Sequence, residues 1–245
     1  MGALVLSALN KDYAVNKLVT IVDAEKESKS IESKVSPIAI KIMIDHSIRT
    51  HIPIEYKIVD KNKKILFQSK NIQSLLPFYK PEKIIIDRFI GQKPEKNFVK
   101  EKLTDPLRLK KYALWGLERN FPSYNSASGY GTALATKTGK IYFGGQYSSP
   151  DKSLSLHSEV TTILSALANR ENKITHIGIV STKHLDSPCD MCGICRQFIS
   201  EMASKLKISP KLYCFAKDTD EYRSYSIEEY LPSSWTSKNW KQNWK

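Results

Sequence analysis

The sequence has few cysteines, four in 245 residues, and three of them (Cys189, Cys192 and Cys195) fall within seven positions. That crowding suits a metal better than a disulfide framework, and it points to a reducing, cytoplasmic setting. No apolar run approaches the ~18 residues of a membrane span, which excludes an integral α-helical membrane protein. The apolar start, Met1 to Leu9, has no basic stretch before it and runs into Asn10-Lys11-Asp12, so it reads as a helix and not a signal peptide. An arginine-rich stripe is also missing. The net charge is +13, but residues 1–104 hold 19 Lys+Arg against 12 Asp+Glu and residues 105–245 hold 19 against 13. An excess spread that evenly, mostly as lysine, fits a solvated surface better than a nucleic-acid footprint. The 41% hydrophobic and 26% charged residues are those of an ordinary globular chain, long enough for one large or two modest domains.

The chemistry concentrates between His157 and Gln197. His157-Ser158-Glu159 precedes a helical run to Ala168, then a short apolar strand, His176 to Ser181. Ser187-Pro-Cys-Asp-Met-Cys-Gly-Ile-Cys-Arg-Gln197 then leads into a second helix. One imidazole and two thiolates at two helix starts supply three ligands of a tetrahedral zinc, with the fourth position left for water. Glu159 stands two residues from His157, near enough to handle that water's protons. H-x-E followed by P-C-x-x-C is the pattern of zinc deaminases. A structural zinc knuckle would instead show four protein ligands and has no use for Glu159 at this spacing.

Two cysteine pairs compete. Cys189 and Cys192 follow Pro188, whereas Cys192 and Cys195 have Gly193 between them and Arg196-Gln197 after them. The second pair is preferred as ligands, leaving Cys189 a neighbouring thiol. Arg196 is expected to temper thiolate charge by hydrogen bonding. Cys214, in the strand-like Leu212 to Ala216, reads as a buried thiol. His46, His51, His176 and His184 read as surface or core residues. Trp235, Trp240 and Trp244 read as helix packing more readily than as base-stacking platforms.

The opening segment looks like a second copy of part of this pattern. Displaced by 158 residues, Leu4 to Leu9 falls on Thr162 to Leu167, and Val19 to Val22 on Ile177 to Val180. With slight drift, Ile52 to Tyr56 falls on Ser209 to Tyr213, and Ile72 to Pro77 on Ile227 to Pro232. Four matches in one order predict two related units. The counterpart of His157 would precede Met1, and Lys34 and Pro37 face the cysteines. The first unit, residues 1–80, is therefore expected to carry no site, as a degenerate scaffold or as a copy whose first half is missing from this sequence. Residues 81–104 read as a linker, and residues 105–245 as the catalytic domain. In the latter a helix is predicted over Leu107 to Arg119, then a hairpin from Gly129 to Gly144, then helix, strand, helix, strand, an α/β layer with a mixed sheet.

From about Phe121 onward the chain resembles the cytidine deaminase family. The resemblance rests on Tyr130-Gly-Thr-Ala-Leu134, Gly144-Gly-Gln146, His157-Ser-Glu159, Cys192-Gly-Ile-Cys-Arg-Gln-Phe198 and Ile227-Glu-Glu-Tyr-Leu-Pro-Ser-Ser-Trp235. It implies a three-layer α/β/α fold around a mixed five-stranded sheet and one Zn2+ held by His157, Cys192 and Cys195. It also implies hydrolytic deamination of cytidine or deoxycytidine, with attack of a zinc-activated hydroxide at C4 and Glu159 as the proton shuttle. A homodimer acting on a small pyrimidine nucleoside, in pyrimidine salvage, follows from the same resemblance. The family's ribose-binding Asn and Glu are Gln146 and Ser148 here, and its Phe beside the base is Ser128. Ser158, between His157 and Glu159, is grouped with these substrate-binding positions. Loss of the charged acceptor for a buried hydroxyl costs ~1.5–3 kcal/mol, ~10–100-fold in affinity. Those exchanges also allow a modified or phosphorylated cytosine compound, or cytosine in a strand. The alternative is accordingly a nucleic-acid-associated deaminase-fold protein, catalytic or only binding.

Overall fold

The computed structural model describes residues 15–22, 37–50, 52–76, 96–121, 129–149, 153 and 155–235. The expected helix at Met1–Leu9, the position of Ser128, most of the linker (81–95), His51, Trp240 and Trp244 lie outside the described residues. The chain divides into two compact units. One comprises Met1–Glu95 with Ser148–Ser155, the other Lys96–Tyr147 with Leu156–Lys245.

In the first unit, β1 (Lys17–Val22) runs parallel to β2 (Glu55–Asp60) across α1 (Pro37–Thr50). Then β3 (Ile65–Ser69) returns antiparallel to β2, and a 3-10 turn at Ile72–Leu75 follows, capped by Asn71. Parallel strands need such a crossover, and the apolar residues Ile42, Met43 and Ile44 of α1 and Ile54 and Ile58 are buried. Ser149 joins this unit through a hydrogen bond from its Oγ to Asp45 Oδ2, 2.8 Å. Ser148 therefore clusters with the first unit and not with the second.

The second unit is a six-stranded mixed sheet flanked by helices, in the order β4-β6-β5-β7-β8-β9. Its elements are β4 (Phe98–Lys100), α2 (Pro106–Leu117), β5 (Tyr130–Thr136), β6 (Lys140–Gly145), α3 (Ser158–Ala168) and β7 (Ile174–Ser181). They are followed by α4 (Gly193–Leu206), β8 (Lys211–Phe215), β9 (Tyr222–Tyr225) and the short α5 (Ile227–Tyr230). Side chains alternate across the pleat. Leu134, Tyr142, Ile177, Ile179 and Leu212 meet Ile163 of α3 and Ile199 of α4 in one cluster. Ala133, Ile141, Phe143, Val180 and Phe215 meet Leu109 and Tyr112 of α2 in the other.

One strand exceeds the five that the resemblance implies. It is β4, whose residues were expected in the linker, pairing antiparallel with β6 at its edge. Phe98 packs 5.2 Å from the Tyr142 ring, and the buried Asn97 side chain donates to Ser165 Oγ, so Lys96 onward is bound into this unit. A lysine- and proline-rich composition hid a strand only three residues long.

Glycine sets how closely α2 lies on the sheet. A Cβ on Gly131 would sit 2.2 Å from Ala113 O and 2.4 Å from Leu117 N, and one on Gly116 would sit 2.6 Å from Gly144 O. The glycine of the Tyr130-Gly-Thr motif is a packing requirement.

The two units share a sequence of elements. In each, two parallel strands are joined by a helix, an antiparallel strand follows, and a short helical turn closes the run. The matched segments Val19–Val22 and Ile177–Val180 lie in β1 and β7, and Ile72 and Ile227 each open the closing turn.

Candidate active site

Two helix N-termini build the site. His157 is the N-cap residue of α3 and Cys192 that of α4, each in extended backbone conformation, and neither side chain makes a capping hydrogen bond. N-caps are ordinarily Ser, Thr, Asp or Asn, whose oxygen satisfies a backbone N–H. Histidine and cysteine in these places give up that bond and aim elsewhere. His157 Nδ1 lies 3.3 Å from Cys192 Sγ and 3.3 Å from Cys195 Sγ. All three ligand atoms fall within 4.8 Å of one another, the one such group of His, Cys, Asp or Glu side chains among the described residues.

This donor set fits a metal. In a tetrahedral zinc site, bond lengths of about 2.3 Å to sulfur and about 2.05 Å to nitrogen separate S from N by about 3.5 Å. The observed spacing is within a few tenths of an ångström of that. The Cys195 thiol is held far above the ordinary thiol range, first by burial and then by Glu159 and Cys192 beside it. A buried thiol so placed ionises only with a cation to compensate it, and the positive ends of two helices add to that field.

Glu159 lies in the first turn of α3 and is 2% exposed. Its Oε2 accepts a hydrogen bond from Ser158 Oγ at 3.2 Å. The turn is fixed to the sheet by hydroxyls. Ser158 Oγ and Thr132 Oγ1 are 2.8 Å apart, and Thr161 Oγ1 donates to Gly145 O at 2.7 Å. Ser158, expected among the substrate contacts, thus has its hydroxyl buried between β5 and Glu159.

Cys189 is also buried, but its Sγ donates to Ile179 O, 3.4 Å away. Burial, then Cys214 and Glu159, push its thiol up to about 12. Cys214 is buried as well, with Sγ 3.3 Å from Tyr230 Oη. Arg196 was expected to hydrogen-bond the thiolates. Its guanidinium instead donates to Met191 O at 2.7 Å and Tyr230 O at 3.3 Å and lies 3.8 Å over the Tyr230 ring. Gln197 and Trp235 exchange two hydrogen bonds, 2.8 and 3.0 Å. These bonds tie the Cys-Gly-x-Cys-Arg-Gln run to the Leu-Pro-Ser-Ser-Trp run. His176 stacks on Tyr213, its ring nitrogen 3.0 Å from Thr175 Oγ1, away from the site.

A cleft of about 200 Å³ opens over His157, Glu159 and Cys192. Gln146 lines it, its backbone N–H donating to Asn120 Oδ1 at 2.8 Å. Tyr130, Lys183 and Asp190 complete the lining. Motif reading assigned Tyr130, Lys183 and Asp190 no role. Asp190 stands two residues before Cys192, in a stretch without helical or strand periodicity.

No protein-family model matches the chain. Among solved structures, cytidine deaminase from Burkholderia pseudomallei aligns with 25% identity and a TM-score of 0.48, covering 54% of this chain and 100% of that one. Cytidine deaminase from Mycobacterium tuberculosis aligns at 18% identity with a TM-score of 0.44, over 54% of this chain and 98% of that one. The enzyme from Mycobacterium leprae aligns at 19% with a TM-score of 0.42, over 53% and 99%. Over about half of its length, and at low identity, the chain is similar in structure to cytidine deaminases.

Proposed function

We propose that the second unit is a zinc-dependent hydrolase that converts cytidine or deoxycytidine, with water, to the uracil nucleoside and ammonia. The observation that carries this reading is the convergence of His157 Nδ1, Cys192 Sγ and Cys195 Sγ beside the buried Glu159 at the floor of a small cleft. When bound there, zinc supplies a Lewis acid that ionises water near neutral pH. His157, Cys192 and Cys195 would hold it. Glu159 is outside the ligand group, and its carboxylate is placed to take a proton from the attacking water. It passes that proton to the ring N3, then takes the remaining proton from the hydroxyl now on C4 and passes it to the amine, which leaves as ammonia while the C4 carbonyl forms. Ser158 Oγ, donating to Oε2, fixes the carboxylate's orientation. Gln146 faces the cleft as a contact for the sugar. The first unit, on this reading, is a partial copy without a site.

Zinc-loaded protein incubated with cytidine, deoxycytidine and a cytosine-bearing oligonucleotide tests this. We expect turnover of the nucleosides and a loss of at least 10²–10⁴-fold in kcat for Glu159→Gln at unchanged zinc content. Full activity in that variant would overturn the mechanism. Gln146 and Ser148, in place of the ribose-binding Asn and Glu, motivate a second reading, action on nucleic acid. Reaction confined to the oligonucleotide, falling steeply with salt, would establish that one instead.

A further inference from the structure

Asp190 belongs to none of the metal ligands, yet it lines the cleft, where one hydrogen bond holds its carboxylate and others hold the backbone of the next residue. Tyr230 Oη donates to Asp190 Oδ1 at 2.9 Å and accepts from the Met191 N–H at 2.8 Å. The next carbonyl, Met191 O, takes the Arg196 Nε–H at 2.7 Å. The Tyr230 ring lies between the Tyr225 ring, stacked at 4.4 Å and 4°, and the Arg196 guanidinium at 3.8 Å. One carboxylate on the rim of a cleft is thereby fixed by the C-terminal turn α5, whose Tyr230 is buried. Support of this density is what a binding group needs to be held in one geometry.

A carboxylate only accepts hydrogen bonds. Cytidine offers donors at its exocyclic amine and at its ribose hydroxyls. For the reaction proposed above, the amine must face Glu159 and the metal ligands, so the donors left for a second carboxylate are the hydroxyls. Ser148, where the family resemblance implies the acceptor, carries no charge. We propose that Asp190 is the specificity-determining residue that accepts a hydrogen bond from a ribose hydroxyl, and that Tyr230 and Arg196 are its positioning residues. The assignment rests on the nucleoside reading of the same cleft and names a contact which that reading leaves open.

The test measures calorimetric binding of uridine and of 2′,3′-dideoxyuridine to the zinc-loaded protein, together with kcat and KM for cytidine. Uridine keeps the hydroxyls and is not consumed. For wild type we expect uridine to bind about 10–100-fold more tightly than its dideoxy analogue. Asp190→Asn should remove most of that difference by weakening uridine alone, raising KM for cytidine by a similar factor and moving kcat by no more than a few fold. Tyr230→Phe keeps the ring stack and should move KM the same way by a smaller factor, with one zinc per chain retained. Equal weakening of both ligands, or unchanged uridine binding in Asp190→Asn, would overturn the assignment. If wild type binds uridine but leaves cytidine unreacted, the deaminase reading fails and the two binding ratios still decide on Asp190. A wild type that binds neither ligand overturns both.

Discussion

Replacing Cys192 by serine, and Cys189 by serine in a separate protein, distinguishes a ligand from a thiol three residues away. Cys192 Sγ is solvent-facing and 3.3 Å from His157 Nδ1, whereas Cys189 Sγ is fully buried and faces Ile179 O. Four-ligand zinc sites bind with roughly 10–16 kcal/mol, or roughly 2.5–4 kcal/mol per ligand. Removing one of three ligands should therefore lower zinc affinity roughly a hundred- to a thousandfold. Cys189→Ser keeps a donor toward Ile179 O but exchanges a soft sulfur for a hydroxyl in an apolar cluster. Its cost should fall on folding, about 1–2 kcal/mol, and not on the metal. The assay is zinc per chain after dialysis against a graded chelator, paired with a thermal melt of each protein. Cys189→Ser is expected to hold one zinc through chelator concentrations that strip Cys192→Ser, while melting lower than wild type. Loss of zinc from Cys189→Ser at the same chelator concentration as from Cys192→Ser would refute the ligand assignment.

In metal-free protein, mild alkylation at pH 8 should label Cys192 first, because Cys189 at about 12 is ionised to only ~1 part in 10⁴ and Cys195 and Cys214 are buried and raised. Zinc should protect Cys192, and peptide mass spectrometry that found Cys189 labelled ahead of it would contradict the burial described. Gly131→Ala places a methyl against the backbone of α2 and should destabilise by about 1–3 kcal/mol, or about 3–10 °C in Tm, readable by calorimetry. Burial works to raise the pKa of Glu171, but the bonds from Lys140 (2.7 Å) and Thr138 outweigh it and hold the carboxyl below its usual range. Its contribution to stability is thus present above the ordinary carboxylate range and lost as pH falls through the lowered value. The gap in urea midpoint between wild type and Glu171→Gln should shrink between pH 7 and pH 3, and a gap that widened would show the sign to be wrong.

The clustering of His157, Cys192 and Cys195 and most of the sheet were legible because both write themselves locally. His157, Cys192 and Cys195 follow fixed spacings at helix starts, and the strands of the second unit alternate or run apolar at the lengths strands have. Four features were not legible, each for a physical reason. β4 is three residues long, and its pairing with β6 is a contact across some forty positions that no local pattern encodes. Arg196 looked like a partner for the thiolates because it adjoins Cys195. On a helix, however, adjacent side chains point about 100° apart, and this one turns to the Met191 and Tyr230 carbonyls. Ser158 adjoins Glu159 in the same way and for the same reason faces β5. Asp190 and Lys183 enter the cleft from the turns around Pro188, where nothing in periodicity predicts direction.

The first unit acts as an internal control on what makes the second one chemical. Both contain strand, helix, parallel strand, antiparallel strand and closing turn among the described residues. In the first unit the crossover helix begins at Pro37, a residue with no donor atom for a metal and one that suits the first turn of a helix. In the second, the equivalent helix α4 is preceded by Cys192 and carries Cys195 one turn in, where a thiolate gains from the helix dipole. The closing turns differ too. Leu75 ends the first, and Tyr230, which binds Asp190 and Met191, ends the second. On the function proposed above, what distinguishes the second unit from the first is the residue at the start of its crossover helix and the tyrosine in its closing turn.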